Sequence, residues 1–268
     1  DASAGHYATN LPYANISSSG SEFSCFLENQ GSVYCWGSNS YGKLGDGTTT
    51  DRITPTEVVE LPSDNPATGL SLGSNHACVV LADGSVYCWG GNDNGELGDG
   101  STIEFSSTPV QVNLPNGTNA RQIDVSEYHS CAILNNGAVF CWGWDLYSVL
   151  GDGNDADTLV DLPANLVAVD LALGSDSSCV LADVDTNDDS IGDGTSPSIY
   201  CWGTNTAGQL GNGNTTSSGV PVQVSLPSGA IPTALSMGYA QHSMCALMNQ
   251  GSAYCWGSGN EGQLGDGN

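Results

Sequence analysis

The sequence predicts an all-β fold, a β-propeller of five four-stranded blades whose last blade is completed by the N-terminal strand. Three observations predict it. A hexapeptide ending in Cys-Trp-Gly occurs five times, placing its tryptophans at Trp36, Trp89, Trp142, Trp202 and Trp256. The intervals of 53, 53, 60 and 54 residues are those of a propeller or another repeat array. Helix signals are nearly absent, because 36 glycines, 11 prolines and many Ser, Thr and Asn punctuate short apolar runs.

The elements of one unit justify the blade. In residues 67–115, "ATGLSLG" reads as a first strand, "HACVVL" as a second and "SVYCWG" as a third. The loop "GNDNGELGDGST" follows, and "TPVQVNLP" reads as the fourth strand. Four short strands fit a blade, with the tryptophan as a wedge against its neighbour. The repeats fall at about 13–62, 63–115, 116–163, 164–227 and 228–268, within one domain over 1–268. The last repeat supplies three strands, and "GHYATNLP" at 5–12 matches the missing fourth, with Leu11-Pro12 in register with "NLP". Completion within the molecule closes a five-bladed ring, which this reading favours. Completion in a neighbour joins molecules head to tail. A piece of a longer array is the third reading, and the start at Asp1 rather than Met suggests a processed or truncated product.

The ten cysteines form five local pairs: Cys25/Cys35, Cys78/Cys88, Cys131/Cys141, Cys179/Cys201 and Cys245/Cys255. In "CVVLADGSVYC", Gly84 can take the left-handed position of the three-residue turn Ala82-Asp83-Gly84. Leu81 then closes against Ser85, and Cys78 faces Cys88 at a non-hydrogen-bonded site, where side chains approach closest. Gly31, Gly137 and Gly251 fill the same turn in repeats one, three and five. No C-x-x-C occurs, and each repeat holds too few Cys and His for tetrahedral zinc. Five intra-blade disulfides imply an oxidising compartment and a secreted or cell-surface protein.

The net charge of −26, from 29 acidic against three basic residues, repels phosphate. Nucleic acid and anionic membranes are therefore poor partners. No run approaches the roughly 18 apolar residues of a membrane helix, so membrane insertion is not expected.

The glycine pattern "G-x-L-G-x-G" recurs as "YGKLGDG", "NGELGDG", "AGQLGNG" and "EGQLGDG". With "HSC" or "HAC", Cys-Trp-Gly and the later "PVQV", these residues resemble the regulator of chromosome condensation repeat family over essentially the whole chain. The resemblance implies a β-propeller, most often seven-bladed. The best-known member is a nuclear exchange factor that contacts chromatin, an activity this acidic chain does not inherit by resemblance. A secreted bacterial branch, with an inhibitor of β-lactamases, is closer in kind.

Two repeats depart from the pattern. Repeat four separates its cysteines by 22 residues, and keeping the register pairs Ala182 near Ser198, so the insertion lies at the hairpin tip. There "DTNDDSIGD" offers oxygens from Asp185, Asn187, Asp189 and Asp193, with the Ile191 carbonyl between and Asp183 nearby. Such spacing suits calcium, which takes six to eight oxygens. It resembles the loops of thrombospondin type-3 and dockerin repeats, though Ser190 stands where glycine usually turns. Repeat three carries Trp144, Leu146 and Tyr147 after "FCWG", candidates for partner contact or for packing against the next blade. Asn15, Asn116 and Asn214 head glycosylation sequons.

No catalytic constellation emerges. "GLSLG" at 69–73 reads as a plain first strand rather than a nucleophile elbow, and "GSGNEG" at 257–262 precedes no helix. His76, His129 and His242 precede second-strand cysteines where Phe23 and Ser177 stand elsewhere, so the position is one of packing. Two functions remain. One is a non-enzymatic extracellular structural propeller, a self-associating surface or fibre subunit. The other is a secreted protein- or glycan-binding module, an adhesin or inhibitor, using one propeller face.

Overall fold

The structure is a computed structural model that describes residues 14–18, 22–152, 158–187, 189–238 and 242–267. Five antiparallel sheets follow one another along the chain. Blade one holds β1 (Ala14–Ser18), β2 (Phe23–Glu28), β3 (Val33–Gly37) and β4 (Arg52–Glu57). Blade two holds β5 (Ala67–Leu72), β6 (His76–Leu81), β7 (Val86–Gly91) and β8 (Phe105–Gln111). Blade three holds β9 (Ala120–Val125), β10 (His129–Leu134), β11 (Val139–Gly143) and β12 (Thr158–Leu159). Blade four holds β13 (Leu166–Leu173), β14 (Ser177–Val184), β15 (Ser198–Gly203) and β16 (Ser218–Gln223). Blade five holds β17 (Pro232–Met237), β18 (Ser243–Met248) and β19 (Ala253–Gly257) among the described residues. The strand expected at 5–12 lies outside the described residues. β8 begins at Phe105, earlier than its apolar run suggests, because a bulge lets Phe105 and Ser106 pair with Gly91 and Gly90.

The hairpin arithmetic holds in atomic detail. Leu81 N–H donates to Ser85 O at 2.9 Å, and Gly84 turns with φ +80°. Cys78 lies opposite Cys88, and all five disulfides have Cα–Cα separations of 4.1 Å. In repeat four Ala182 pairs with Ser198, which leaves the insertion at the tip. Cys179 accordingly lies opposite Cys201 and is bonded to it, despite a separation of 22 residues instead of ten.

On its outer side Cys201 departs from the regular four-stranded ladder that the repeat predicts. Cys201 pairs with Val222 and Gly203 with Ser218, so Gly219, Val220 and Pro221 together stand against Trp202. The same slip follows Cys35 and Cys88 in blades one and two. A proline, Pro55, Pro109 or Pro221, falls inside each bulge, where its missing N–H costs the ladder nothing.

Among the described residues four hydrophobic clusters form the core, each shared by two successive blades. The first joins Cys25, Leu27, Val33, Cys35 and Leu44 of blade one to Ala77, Val79, Leu81 and Trp89 of blade two. The same assembly recurs at the next three junctions. A tryptophan locks each one. Trp89 Nε1–H donates to Lys43 O at 3.1 Å, Trp142 to Glu96 O at 2.9 Å, Trp202 to Val149 O at 2.5 Å and Trp256 to Gln209 O at 2.9 Å. A glycine sits against each indole: a Cβ at Gly45, Gly98, Gly151 or Gly211 would stand 2.7–2.8 Å from the ring nitrogen. The wedge therefore needs a large ring and, facing it, no side chain at all.

A buried asparagine three residues after the tryptophan holds the loop that supplies this glycine. Asn205 Oδ1 accepts from Leu210 N–H at 2.9 Å, and its Nδ2 donates to Asn214 O at 3.1 Å and Thr216 O at 3.0 Å. Asn39 and Asn92 repeat the arrangement. Asn205→Ala should cost about 2–4 kcal/mol, since several buried backbone groups lose partners together. Urea unfolding followed by tryptophan fluorescence measures it, and a loss below about 1 kcal/mol would refute the role.

Candidate interaction site

The first strands β5, β9, β13 and β17 contact one another in series and form the inner wall. An antiparallel meander alternates its connections between two ends. The β9–β10 turn and the β11–β12 loop therefore share one end of blade three, while the β10–β11 turn lies at the other.

The shared end gathers aromatic side chains. Trp144, in the β11–β12 loop, meets Tyr128, in the β9–β10 turn, edge to face at 4.8 Å between ring centroids. Trp144 N–H donates to Tyr128 O at 2.9 Å, and Asp145 Oδ1 accepts from Leu150 N–H at 2.9 Å. Leu146 is 57% and Tyr147 47% exposed. A hydrogen bond to Glu127 raises the Tyr128 pKa, and burial raises it further. Trp144 thus packs within its own blade, while Leu146 and Tyr147 present apolar surface to solvent. Sequence reading missed Tyr128, whose turn position carries no aromatic in the other repeats.

The repeat-four tip occupies the opposite end. Asp183 is buried and accepts from Ser196 N–H at 2.9 Å, Val184 N–H at 2.9 Å and, by a short contact, Gly194 N–H. Asp185 accepts from Asn187 N–H at 3.2 Å and Ser190 N–H at 2.8 Å. Asn187 accepts from Asp189 N–H at 3.1 Å, Asp189 from Ile191 N–H at 2.9 Å, and Asp193 from Thr186 N–H at 3.0 Å. Ser190 takes φ +63°, the left-handed conformation a glycine would supply. Arg121 of β9 clamps the tip, donating to Ser190 O at 3.2 Å and to Ala168 O. Among the described residues no three His, Cys, Asp or Glu side chains stand together in metal-holding geometry. The carboxylates are engaged by backbone N–H groups.

The histidines separate into two kinds. His76 and His129 are buried and cross blade junctions, His76 Nε2 to Ser130 Oγ at 2.9 Å and His129 Nε2 to Ser178 Oγ at 2.8 Å. Burial pushes both pKa values down to about 3, and His76 adds to the effect on His129. His242 is exposed, bonds Asp176 at 2.8 Å and lies one place before the packed position, which Ser243 occupies opposite Gly257. Asp124, in the inner wall, accepts from Ser71 Oγ at 2.8 Å and Leu173 N–H at 2.9 Å. The residue keeps intermediate exposure, but its carboxyl is enclosed, which raises its pKa to about 6. Of the sequons, Asn116 and Asn214 are exposed in loops, and Asn15 lies within β1.

The regulator of chromosome condensation (RCC1) repeat matches residues 30–80, 83–133 and 198–246, and a second description of the same repeat matches 15–43, 68–96, 120–148 and 233–263. The chain belongs to the RCC1 repeat family. Among RCC1-repeat relatives, the ultraviolet-B receptor UVR8 of Arabidopsis thaliana is 30% identical over 236 residues, covering 88% of this chain and 51% of UVR8. The chain thus spans about half the length of that relative. Yeast RCC1 (Prp20), solved bound to Kap60, superposes with a TM-score of 0.72 at 21% identity, over 90% of this chain and 55% of that one. The ectodomain of the Arabidopsis thaliana receptor kinase ACR4 superposes at 0.54 and 19% identity, over 92% of this chain and 70% of that one. The likeness to Prp20 shows an RCC1-type propeller fold across these five blades.

Proposed function

We propose that this RCC1-repeat propeller is a non-enzymatic extracellular structural protein, a surface or fibre subunit that works by protein–protein contact. The observation that carries the reading is the pairing of all ten cysteines inside blade hairpins, with none left as a free thiol. That state belongs to an oxidising compartment. No helix among the described residues is long and apolar enough to cross a membrane. His76 and His129, the buried histidines, bond serine hydroxyls inside blade junctions rather than facing a substrate cleft. That the ACR4 relative is an ectodomain, and that Prp20 binds Kap60, supports an interaction role for the scaffold. Electron microscopy and light scattering on the purified chain test it, with polymers expected. A monomer at all concentrations would remove the structural reading.

The exposure of Leu146 and Tyr147 favours a second reading, a secreted module that binds a protein or glycan at the aromatic end of blade three. Trp144→Ala with Tyr147→Ala should then abolish partner capture without changing particle mass.

Calcium at the repeat-four tip is a separate proposal, resting on the oxygens of Asp185, Asn187, Asp189, Asp193 and the Ile191 carbonyl. Calcium should raise Tm by several degrees over a chelator, and Asp185→Asn should abolish the rise. No rise in the unaltered protein would dismiss the ion.

A further inference from the structure

The carbonyls that receive the indole N–H groups belong to Lys43, Glu96, Val149 and Gln209, each seven residues after the tryptophan of its own blade. Their side chains differ in charge. Gln209 Oε1 accepts from Ala207 N–H at 2.8 Å, and Gln263, at the same place in blade five, accepts from Glu261 N–H at 2.8 Å. Glu96 makes the same loop-holding contact, its carboxylate accepting from Asn94 N–H at 2.8 Å and Asn94 Nδ2 at 2.9 Å. An amide therefore serves that contact, which does not need the negative charge of Glu96. Glu96 is nonetheless only 6% exposed, and among the described residues it forms no ion pair. A buried carboxylate without a counter-ion is costly.

His76 shows a second unmet group at the same place. Its Nε2 meets Ser130 Oγ at 2.9 Å, and that hydroxyl donates onward to Glu96 O at 3.4 Å. The ring proton thus sits on Nε2, and Nδ1 keeps a bare lone pair. In blade three the matching Nδ1 of His129 meets Ser126 Oγ at 2.7 Å. Blade two has Gly73 where Ser126 stands, since Gly73 N–H donates to His76 O as Ser126 N–H does to His129 O. No hydroxyl reaches His76 Nδ1 from there, and among the described residues nothing else bonds it. The side chain is 1% exposed.

Both groups line one cavity of about 70 Å³, together with Tyr41 of blade one, Asp93 of blade two, and Glu127 and Tyr128 of blade three. A water takes about 30 Å³ in the liquid, so the space admits a polar head group and not a whole substrate. Three carboxylates, two phenol rings and a lone pair all favour a cation that carries N–H donors. Blade one shows such a cation in place. Lys43, which stands there for Glu96, is 2% exposed and sets Nζ 5.3 Å above the ring of Phe23, which stands for His76.

We propose that this cavity binds a primary ammonium group, of a partner protein's lysine or of a free amine, with Glu96 as counter-ion and His76 Nδ1 accepting one N–H. The inference stands apart from both readings above, because neither a fibre joint nor contact through Leu146 and Tyr147 requires it.

Nitrogen-15 NMR of the histidine rings in the full chain tests the site; there are four histidines, and His76→Phe identifies the signal. The solution holds about 0.15 M sodium chloride, which screens general attraction to the −26 charge. Acetyl-Gly-Lys-Gly-amide represents a partner's lysine and n-butylamine a free amine. Either should move the His76 Nδ1 resonance saturably, with a Kd of about 1 mM, and leave His129 still. Acetyl-Gly-Gln-Gly-amide should move neither. Movement with the lysine peptide assigns the site to a partner protein, and movement with butylamine alone assigns it to a free amine. Glu96→Gln keeps the contact to Asn94, as Gln209 keeps its own to Ala207, and should weaken binding at least about tenfold. Asp64→Asn removes an exposed charge from the β4–β5 connection and should change binding less than about twofold. A His76 signal that neither amine moves would overturn the site, as would unchanged affinity in Glu96→Gln.

Discussion

Full reduction is expected to unfold the protein at ambient temperature. Each of four disulfides closes a hairpin between cysteines ten residues apart, and the fifth, Cys179–Cys201, spans 22. Loop-closure entropy gives about 3 kcal/mol for each such cross-link. Five together match or exceed the roughly 5–15 kcal/mol by which a domain is stable. Packing adds to the loss, because eight of the ten cysteines are completely buried and two separated thiols need more room than one bonded pair. Cys245–Cys255, half-buried on the end blade, should be reduced first. Tryptophan emission and alkylation mass, followed through a dithiothreitol series, read both events. Ten alkylated thiols with unshifted emission would show that the blades do not need their cross-links. Removing one pair, Cys131→Ala with Cys141→Ala, should cost roughly 2–4 kcal/mol.

Acid should weaken the fold well above the carboxylate range. His76 and His129 are neutral in the folded chain, with pKa values pushed down to about 3, against 6.5 when exposed. Their stabilisation is complete above about pH 6.5 and is lost as pH falls from there towards 3, because the unfolded chain takes up protons that the folded chain refuses. Each contributes a slope of about 1.4 kcal/mol per pH unit. Asp124 works in the opposite sense. Its carboxyl, raised to about 6, gains stability as pH falls from 6 towards its ordinary 3.8. The net effect over most of that window is one proton, which amounts to roughly 3 kcal/mol lost by about pH 4.5. His76→Phe copies blade one, where Phe23 occupies the same register position and is 3% exposed. That variant should flatten the acid slope between about pH 6.5 and 4.5 while Ser130 keeps its bond to Glu96 O. Urea midpoints across the pH range decide it, and an unchanged slope would place the titration elsewhere.

The parts most legible in the sequence were those fixed by spacing. A ten-residue cysteine interval around one turn glycine determines a hairpin register, so Cys78 opposite Cys88 followed from counting. Cys201 opposite Cys179 followed by holding that register through a longer tip, whereas the bulge on its outer side did not, because a proline's effect on the neighbouring ladder has no counterpart in the cysteine count. Trp89 as a wedge followed from its recurrence with glycine. What counting missed was chemistry carried by ordinary residues. Asn39, Asn92 and Asn205 resemble any loop asparagine, and only their fixed offset from the tryptophan marks them as the loop's internal scaffold. Asp124 lies in a strand whose alternation points to a solvent face, yet the inner wall encloses its carboxyl. His76 and His129 read as packing, which the structure supports, but the serine across each junction is contributed by the next repeat and leaves no local signature. The aromatic end of blade three was visible as a departure from the pattern; Tyr128 joins it only because the meander brings two connections together.

Each blade junction is built half from one repeat and half from the next, always with an indole, a glycine and a carbonyl in the same places. A copy of the repeat inserted between any two others would therefore find a fitting surface on both sides, and deletion of one would leave its neighbours able to meet. Gene segments encoding such a chain can lengthen or shorten by whole units through unequal recombination without a new core having to evolve. No single junction then fixes the number of blades.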